Sequence, residues 1–222
     1  MKKTNENLLF LAMLFVSLYV ISNAIAGRIV NTGIFIFGEE IIVSGAVLTY
    51  AATFLIADVI HQIYGKAKAR IVVAWALLIQ IIILIFILIT KYLPSSYYFY
   101  EVRDAYNLLF GLNIYIVIGS LTAYFISQNL DIILFEKIKN KIMSISNNYK
   151  LRGIWNTAST LISQAIDTII FSTIAFGVGF GWIFTEEGRL LLLMMIVGEY
   201  IIKMAIAILD TPVFYLLTSK ER

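Results

Sequence analysis

The sequence predicts an all-α, polytopic membrane protein with six transmembrane helices and both termini in the cytoplasm. Three observations predict it. The 222 residues are 60% hydrophobic and 14% charged, with a mean hydropathy of +0.88. Apolar runs of about twenty residues, the length that crosses a hydrocarbon core as a helix, recur along the chain. Basic residues also segregate. The two ends and alternate connections hold Lys2, Lys3, Lys66, Lys68, Arg70, Lys137, Lys139, Lys141, Lys150, Arg152, Lys220 and Arg222, whereas the remaining connections hold Arg28, Lys91, Arg103 and Arg189. Twelve against four places the richer set inside.

The spans fall at about 8–26, 41–63, 71–93, 112–135, 154–181 and 189–217. They leave no length for a soluble domain, so residues 1–222 form one transmembrane domain. The net charge of +3 then reports orientation in the bilayer, not contact with nucleic acid. Cysteine is absent, which removes thiolate metal sites. His61, the single histidine, is weak evidence for a zinc site and reads as an interfacial side chain. No metal and no cofactor are expected. Neither a Walker-type glycine loop nor an intramembrane serine or aspartyl protease motif is present, so the chain is expected neither to hydrolyse ATP nor to be an enzyme.

In the first span, two lysines, an apolar core and Ala24-Ile25-Ala26 before Gly27 also fit a secretory signal with its cleavage site. Ser22 and Asn23 instead suit a retained helix with functional polar residues, and retention is the reading adopted. The second span ends in Ala57-Asp58-Val59-Ile60-His61-Gln62-Ile63-Tyr64-Gly65, before Lys66 and Arg70. Asp58 lies about two turns inside the cytoplasmic end. It either pairs with Arg70 or Lys66 to tie the helix to the loop, or serves coupling and gating along a permeation path. After the third span, Tyr97, Tyr98, Phe99, Tyr100 and Tyr106 suggest a short helix lying on the outer surface, because such rings anchor at the headgroup level.

The fourth and fifth spans share a pattern. Ser127-Gln128-Asn129-Leu130-Asp131-Ile132-Ile133-Leu134-Phe135 and Ser163-Gln164-Ala165-Ile166-Asp167-Thr168-Ile169-Ile170-Phe171 agree as S-Q-x-x-D-x-I-x-F. Successive spans run in opposite directions, so the copies are antiparallel. Asp131 comes near the cytoplasmic end and is a second candidate for coupling or gating. Asp167 comes deeper. In the fifth span Asn156, Thr160, Ser163 and Asp167 fall on one helix face, flanked by Gln164 and Thr157. A carboxylate at depth costs at least a few kcal/mol unless it meets a partner or a wet cavity, which makes this stripe the leading site. Gly177, Gly179 and Gly181 at its end read as a turn or as close helix packing.

The sixth span carries Glu199-Tyr200-Ile201-Ile202-Lys203. An acid four residues before a base can pair with it on one helix face. Farther on, Asp210-Thr211-Pro212 is expected to interrupt the helix, since proline removes an amide donor and crowds the preceding turn.

Taken together, Ser22-Asn23, Asp58 with Tyr64-Gly65 and Arg70, Thr157-Ala158-Ser159-Thr160-Leu161, Ser163-Gln164-x-x-Asp167-Thr168, and Tyr200-x-x-Lys203 with Pro212 and Tyr215 resemble the queuosine precursor transporter family of bacterial membranes, also called the vitamin uptake transporter family. The resemblance runs from the first helix to the last. Gln62 departs from the glutamate of many relatives, Ala57 stands where many have threonine before the second-span aspartate, and relatives often have arginine near Trp155. What the resemblance implies is import of 7-deazaguanine bases, such as 7-cyano-7-deazaguanine, its aminomethyl analogue or queuine, across the bacterial cytoplasmic membrane for salvage into tRNA queuosine. On that reading Asp167 or Glu199 accepts the paired N–H groups of a guanine-type edge, and Gln164, Asn156, Asn23 or Lys203 donates to its carbonyl. Thr160 and Ser163 complete the polar face, while Trp155, Phe171 and Tyr200 stack on the rings. Asp167 leads. The partners are then the nucleobase and the lipid, with a homo-oligomer left open. The alternative is a substrate-binding membrane subunit of a multi-subunit, ATP-driven uptake system.

Overall fold

Threonine, glutamate and an apolar run begin the first helix in the computed structural model, which describes residues 3–36, 38–145 and 152–218. The side chains at 97, 128, 129, 131, 132, 135, 139, 145, 152–157, 160, 210, 211, 213–215 and 218 lie outside the described set. Helix α1 runs Asn5–Ile25, with the Thr4 hydroxyl accepting the Asn7 N–H at 3.2 Å and Glu6 in the first turn. Both features satisfy the positive end of a helix. Strands β1 (Ile29–Ile36) and β2 (Glu39–Ser44) follow as an antiparallel hairpin. Then come α2 (Val47–Tyr64), α3 (Lys66–Tyr92), a single 3₁₀ turn at Tyr97–Phe99, α4 (Tyr100–Ile145) and α5 (Arg152–Ser172). A wide π turn over Thr173–Val178 and a 3₁₀ turn at Trp182–Phe184 lead into α6 (Glu186–Thr218). Among the described residues, six helices are long and apolar enough to cross a membrane.

Three expectations need correction. The hairpin replaces the start of the second span, since Glu39–Ser44 is strand and the helix begins at Val47. Ile41-Ile42-Val43 is apolar and β-branched, and so short a run does not separate helix from strand by periodicity. The aromatic segment after the third span does not form a separate surface helix, because Tyr100 onward is continuous with the fourth span. Lastly, α6 passes through Pro212 without ending. The amide missing there lies six residues from the helix end, and a membrane helix tolerates such a gap where neighbours re-satisfy the freed carbonyl.

Two glycines shape the connections. Gly65, between α2 and α3, has φ 86° and ψ 163°, a region that only glycine enters readily. It lets the chain reverse in one residue. Gly198 on α6 is a point of close approach, where an added Cβ would stand 2.5 Å from the Ile42 carbonyl. The hairpin therefore packs directly on the α6 backbone. Gly198→Ala is expected to push β2 off the helix and lower stability by about 1–3 kcal/mol. Thermal unfolding of the detergent-purified protein measures this.

The hairpin is irregular between Asn31 and Phe35. There Glu40 accepts from Asn31 Nδ2 at 3.0 Å and from the Gly33 N–H at 2.8 Å. A side chain thus replaces part of the missing ladder.

Two apolar clusters form the core. One joins α1, α2, α3 and α4 through Leu11, Phe15, Tyr19, Ile60, Val72 and Tyr124, with Tyr50 packed against it. The other joins the hairpin, α4, the π turn and α6 through Ala26, Ile41, Ala46, Ile116, Phe176 and Met195. Between them lies polar material. The exposed row of α3, including Ile71, Trp75, Leu78, Ile82, Ile85 and Phe86, suits contact with lipid.

Candidate functional site

The polar layer is built around Lys203, a cation only 1% exposed, with Asp167 at 0% and Glu199 at 2%. Its Nζ lies 3.4 Å from Asp167 Oδ2, 3.5 Å from Glu199 Oε2 and 3.0 Å from Thr168 Oγ1. Glu199 stands one helical turn before Lys203 on α6, so their pairing is local. Asp167 and Thr168 come from α5, so their contact depends on how the two helices pack. Removing each ion from water costs several kcal/mol, and these contacts offset much of it.

Both carboxylates have further donors. Tyr50 Oη and Ser127 Oγ donate to Asp167 Oδ1 at 3.2 and 3.1 Å. The Ser44 backbone N–H, at the last residue of β2, donates to Glu199 Oε1 at 2.9 Å. Five elements thus converge: β2, α2, α4, α5 and α6. In particular, Ser127 of the first S-Q-x-x-D copy meets Asp167 of the second, so the repeated segments touch where the charges are.

A cavity with about 280 Å³ of space between atoms adjoins this cluster. Only a small part of it is wide enough for a water molecule. Ser22, Asn23, Ala26, Ser44, Ala46, Val47, Tyr50, Ser120, Phe171, Glu199 and Lys203 line it. Its polar wall is fixed by a network. Asn23 Nδ2 donates to the Tyr19 carbonyl at 3.1 Å, Asn113 Nδ2 donates to the Asn23 carbonyl at 2.8 Å, and Tyr19 Oη and Ser120 Oγ share a bond of 3.0 Å. Ser22 Oγ sits 2.6 Å from the Leu18 carbonyl and 2.8 Å from Thr49 Oγ1.

Of the residues singled out in the sequence, Ser22, Asn23, Phe171, Glu199 and Lys203 line the cavity. Asp167 sits one layer back, behind Tyr50 and Lys203. Ser163 and Gln164 are buried on α5 and are not among the lining residues. Tyr200 does not line it either, and its hydroxyl donates to the Leu161 carbonyl at 3.3 Å. The side chains of Asn156, Thr160, Trp155 and Asp131 lie outside the described set. Asp58 is half-buried on α2, away from the lining residues, while Arg70 is exposed and Lys66 pairs with Glu136 of α4 at 3.2 Å. No group of three or more metal-ligating side chains occurs among the described residues. Tyr50 and Ser44, which contact the charged cluster, are wall residues that the sequence did not single out. Tyr50 looks like an ordinary core aromatic in the sequence, and Ser44 contributes a backbone N–H that no side-chain pattern reveals.

Side by side on the cavity wall, Glu199 can accept hydrogen bonds while Lys203 donates them. A polytopic bundle that encloses such a cavity between two apolar cores has the build of a membrane transporter. Similarity to known proteins points the same way, because residues 44–217 match the family described as "Putative vitamin uptake transporter", and the chain belongs to that family. It is also similar to the "Probable queuosine precursor transporter" of Bacillus subtilis (strain 168), at 29% identity over 168 residues, which cover 75% of this chain and 67% of the relative. No solved structure gives a significant match.

Proposed function

We propose that the protein imports queuosine precursors, the 7-deazaguanine bases, into the bacterial cytoplasm, with Glu199 and Lys203 as the pair that meets the base. The observation that carries this is their separation of 3.5 Å on a shared cavity wall. A guanine-type edge presents an amino group, a ring N–H and a carbonyl in a row. A carboxylate accepts the first two and an ammonium donates to the third. Each Glu199 oxygen keeps a free lone pair beyond its contacts with Ser44 and Lys203, whereas the three N–H groups of Lys203 already face Asp167, Thr168 and Glu199, so its donation to the base replaces the 3.5 Å contact with Glu199. Asn23 adds an amide to the same cavity. The name of the Bacillus relative supports the same substrate class.

In this reading Asp167 positions Lys203 and Tyr50. The cavity lies between the two apolar clusters, and transport requires each cluster to open in turn. Asp58, Arg70 and Asp131 remain candidates for coupling or gating near the cytoplasmic face. Both termini lie in the cytoplasm, the orientation that the distribution of lysine and arginine favours.

The cluster also bears on substrate charge. It sets two carboxyl groups, Asp167 and Glu199, against one amino group, Lys203. A base bearing its own cation balances this set, and an inside-negative potential favours its entry by about 2.3 kcal/mol per 100 mV. The cationic aminomethyl base is therefore expected to outcompete the neutral cyano base. Competition for uptake at equal concentrations measures the preference, and equal inhibition by the two bases contradicts it.

The direct test uses cells that lack both queuosine synthesis and their own importer. Expression of the chain, with each base supplied at low concentration, is expected to restore queuosine in tRNA. Its absence, with the protein present in the membrane, overturns the proposal. Uptake by the purified chain alone in liposomes separates an autonomous carrier from a subunit that needs an ATP-driven partner.

A further inference from the structure

We propose that Tyr50 and Phe171 form a slot that receives the flat ring system of the substrate between them, an inference that rests on the function proposed above. Both rings line the cavity. Their planes lie within 15° of parallel and their centroids are 6.5 Å apart. Carbon atoms in contact sit about 3.5 Å apart, so a heterocycle held face to face between two rings separates them by about 7 Å. The observed centroid spacing falls short of that width, and only a small part of the cavity admits a water molecule, so the two rings move apart as a base enters.

The two rings are also held in place. Phe54 packs edge-on against Tyr50, at 5.3 Å and 79°, and Phe176 packs edge-on against Phe171, at 5.7 Å and 88°. The Tyr50 hydroxyl is bonded to Asp167. Rings braced in this way keep their faces aligned before the ligand arrives, which lowers the ordering cost of binding. Lys203 Nζ lies over the Tyr50 ring, 4.9 Å from its centroid, and lines the same cavity as Glu199. A base that takes the place of the ammonium against that ring meets aromatic rings on its faces and has the charged pair on the same cavity wall. The slot selects a planar, fused bicycle. A single ring with the same edge fills only part of it.

The test is titration calorimetry on the purified full chain, with 7-aminomethyl-7-deazaguanine and with isocytosine, a monocycle carrying the same amino, N–H and carbonyl edge. The wild type is expected to prefer the bicycle. Phe171→Leu should weaken the bicycle by on the order of ten- to a hundredfold, the scale of one lost base–aromatic stack, while isocytosine changes far less. The preference therefore shrinks, and Phe171→Tyr, which keeps a ring, restores it. Tyr50→Leu reads the opposite wall, so failure of one variant to fold leaves the other to decide. Binding that persists with an unchanged preference in the folded leucine variants overturns the slot and leaves the transport function standing. A wild type that binds neither compound overturns that function, and the slot with it.

Discussion

Lys203→Met is expected to abolish uptake and to lower stability by about 3–5 kcal/mol, the scale for removing one partner from a buried ion pair. The size follows from what the variant leaves behind. Asp167 and Glu199 lose the ammonium that lies 3.4 and 3.5 Å away, and Thr168 loses the donor to its hydroxyl. Adding Glu199→Gln removes one of the two stranded charges, so part of the stability should return. Transport should not return, because the double variant has neither the carboxylate that accepts two N–H groups nor the ammonium that donates to the carbonyl of the base. Thermal unfolding and initial uptake rate, measured on the same preparations, separate the two effects. Recovery of both would reduce the pair to a structural ion pair.

Asp167→Asn is expected to cut uptake by about two orders of magnitude while the protein still inserts in the membrane. The amide keeps the shape of the carboxylate, yet it weakens charge-assisted hydrogen bonds, each of which contributes about 1.5–3 kcal/mol. Tyr50 and Lys203 both depend on Asp167, so a cavity wall is disturbed by a change one layer behind it. Uptake rates normalised to membrane expression check this. A wild-type rate would mean that Asp167 contributes only volume.

The sequence reveals some parts of this arrangement and conceals others for physical reasons. The membrane helices were legible because runs of about twenty apolar residues have few other structures open to them. Glu199 and Lys203 were legible as a pair because four residues of helix bring side chains together whatever surrounds them. The contact of Lys203 with Asp167 was not, since it depends on the packing of α5 against α6. The polar stripe on α5 fixed a face for Asp167 but not what stands opposite. In the structure Tyr50, Ser127 and Lys203 stand there, and the cavity begins beyond them. The hairpin was hidden for a different reason: six residues of β2 carry too little pattern to compete with a neighbouring helix. With it was hidden the Ser44 N–H, whose role depends on where the strand ends.

The absence of native cysteine makes one measurement especially direct. Ala46→Cys places a thiol on the cavity wall beside Val47 and Tyr50, and Asn140→Cys places one at an exposed position on α4. In membranes that retain uptake, 7-aminomethyl-7-deazaguanine is expected to slow thiol labelling at Ala46→Cys and to leave Asn140→Cys unchanged. Equal labelling rates at Ala46→Cys with and without a saturating, transported base would show that the substrate passes elsewhere.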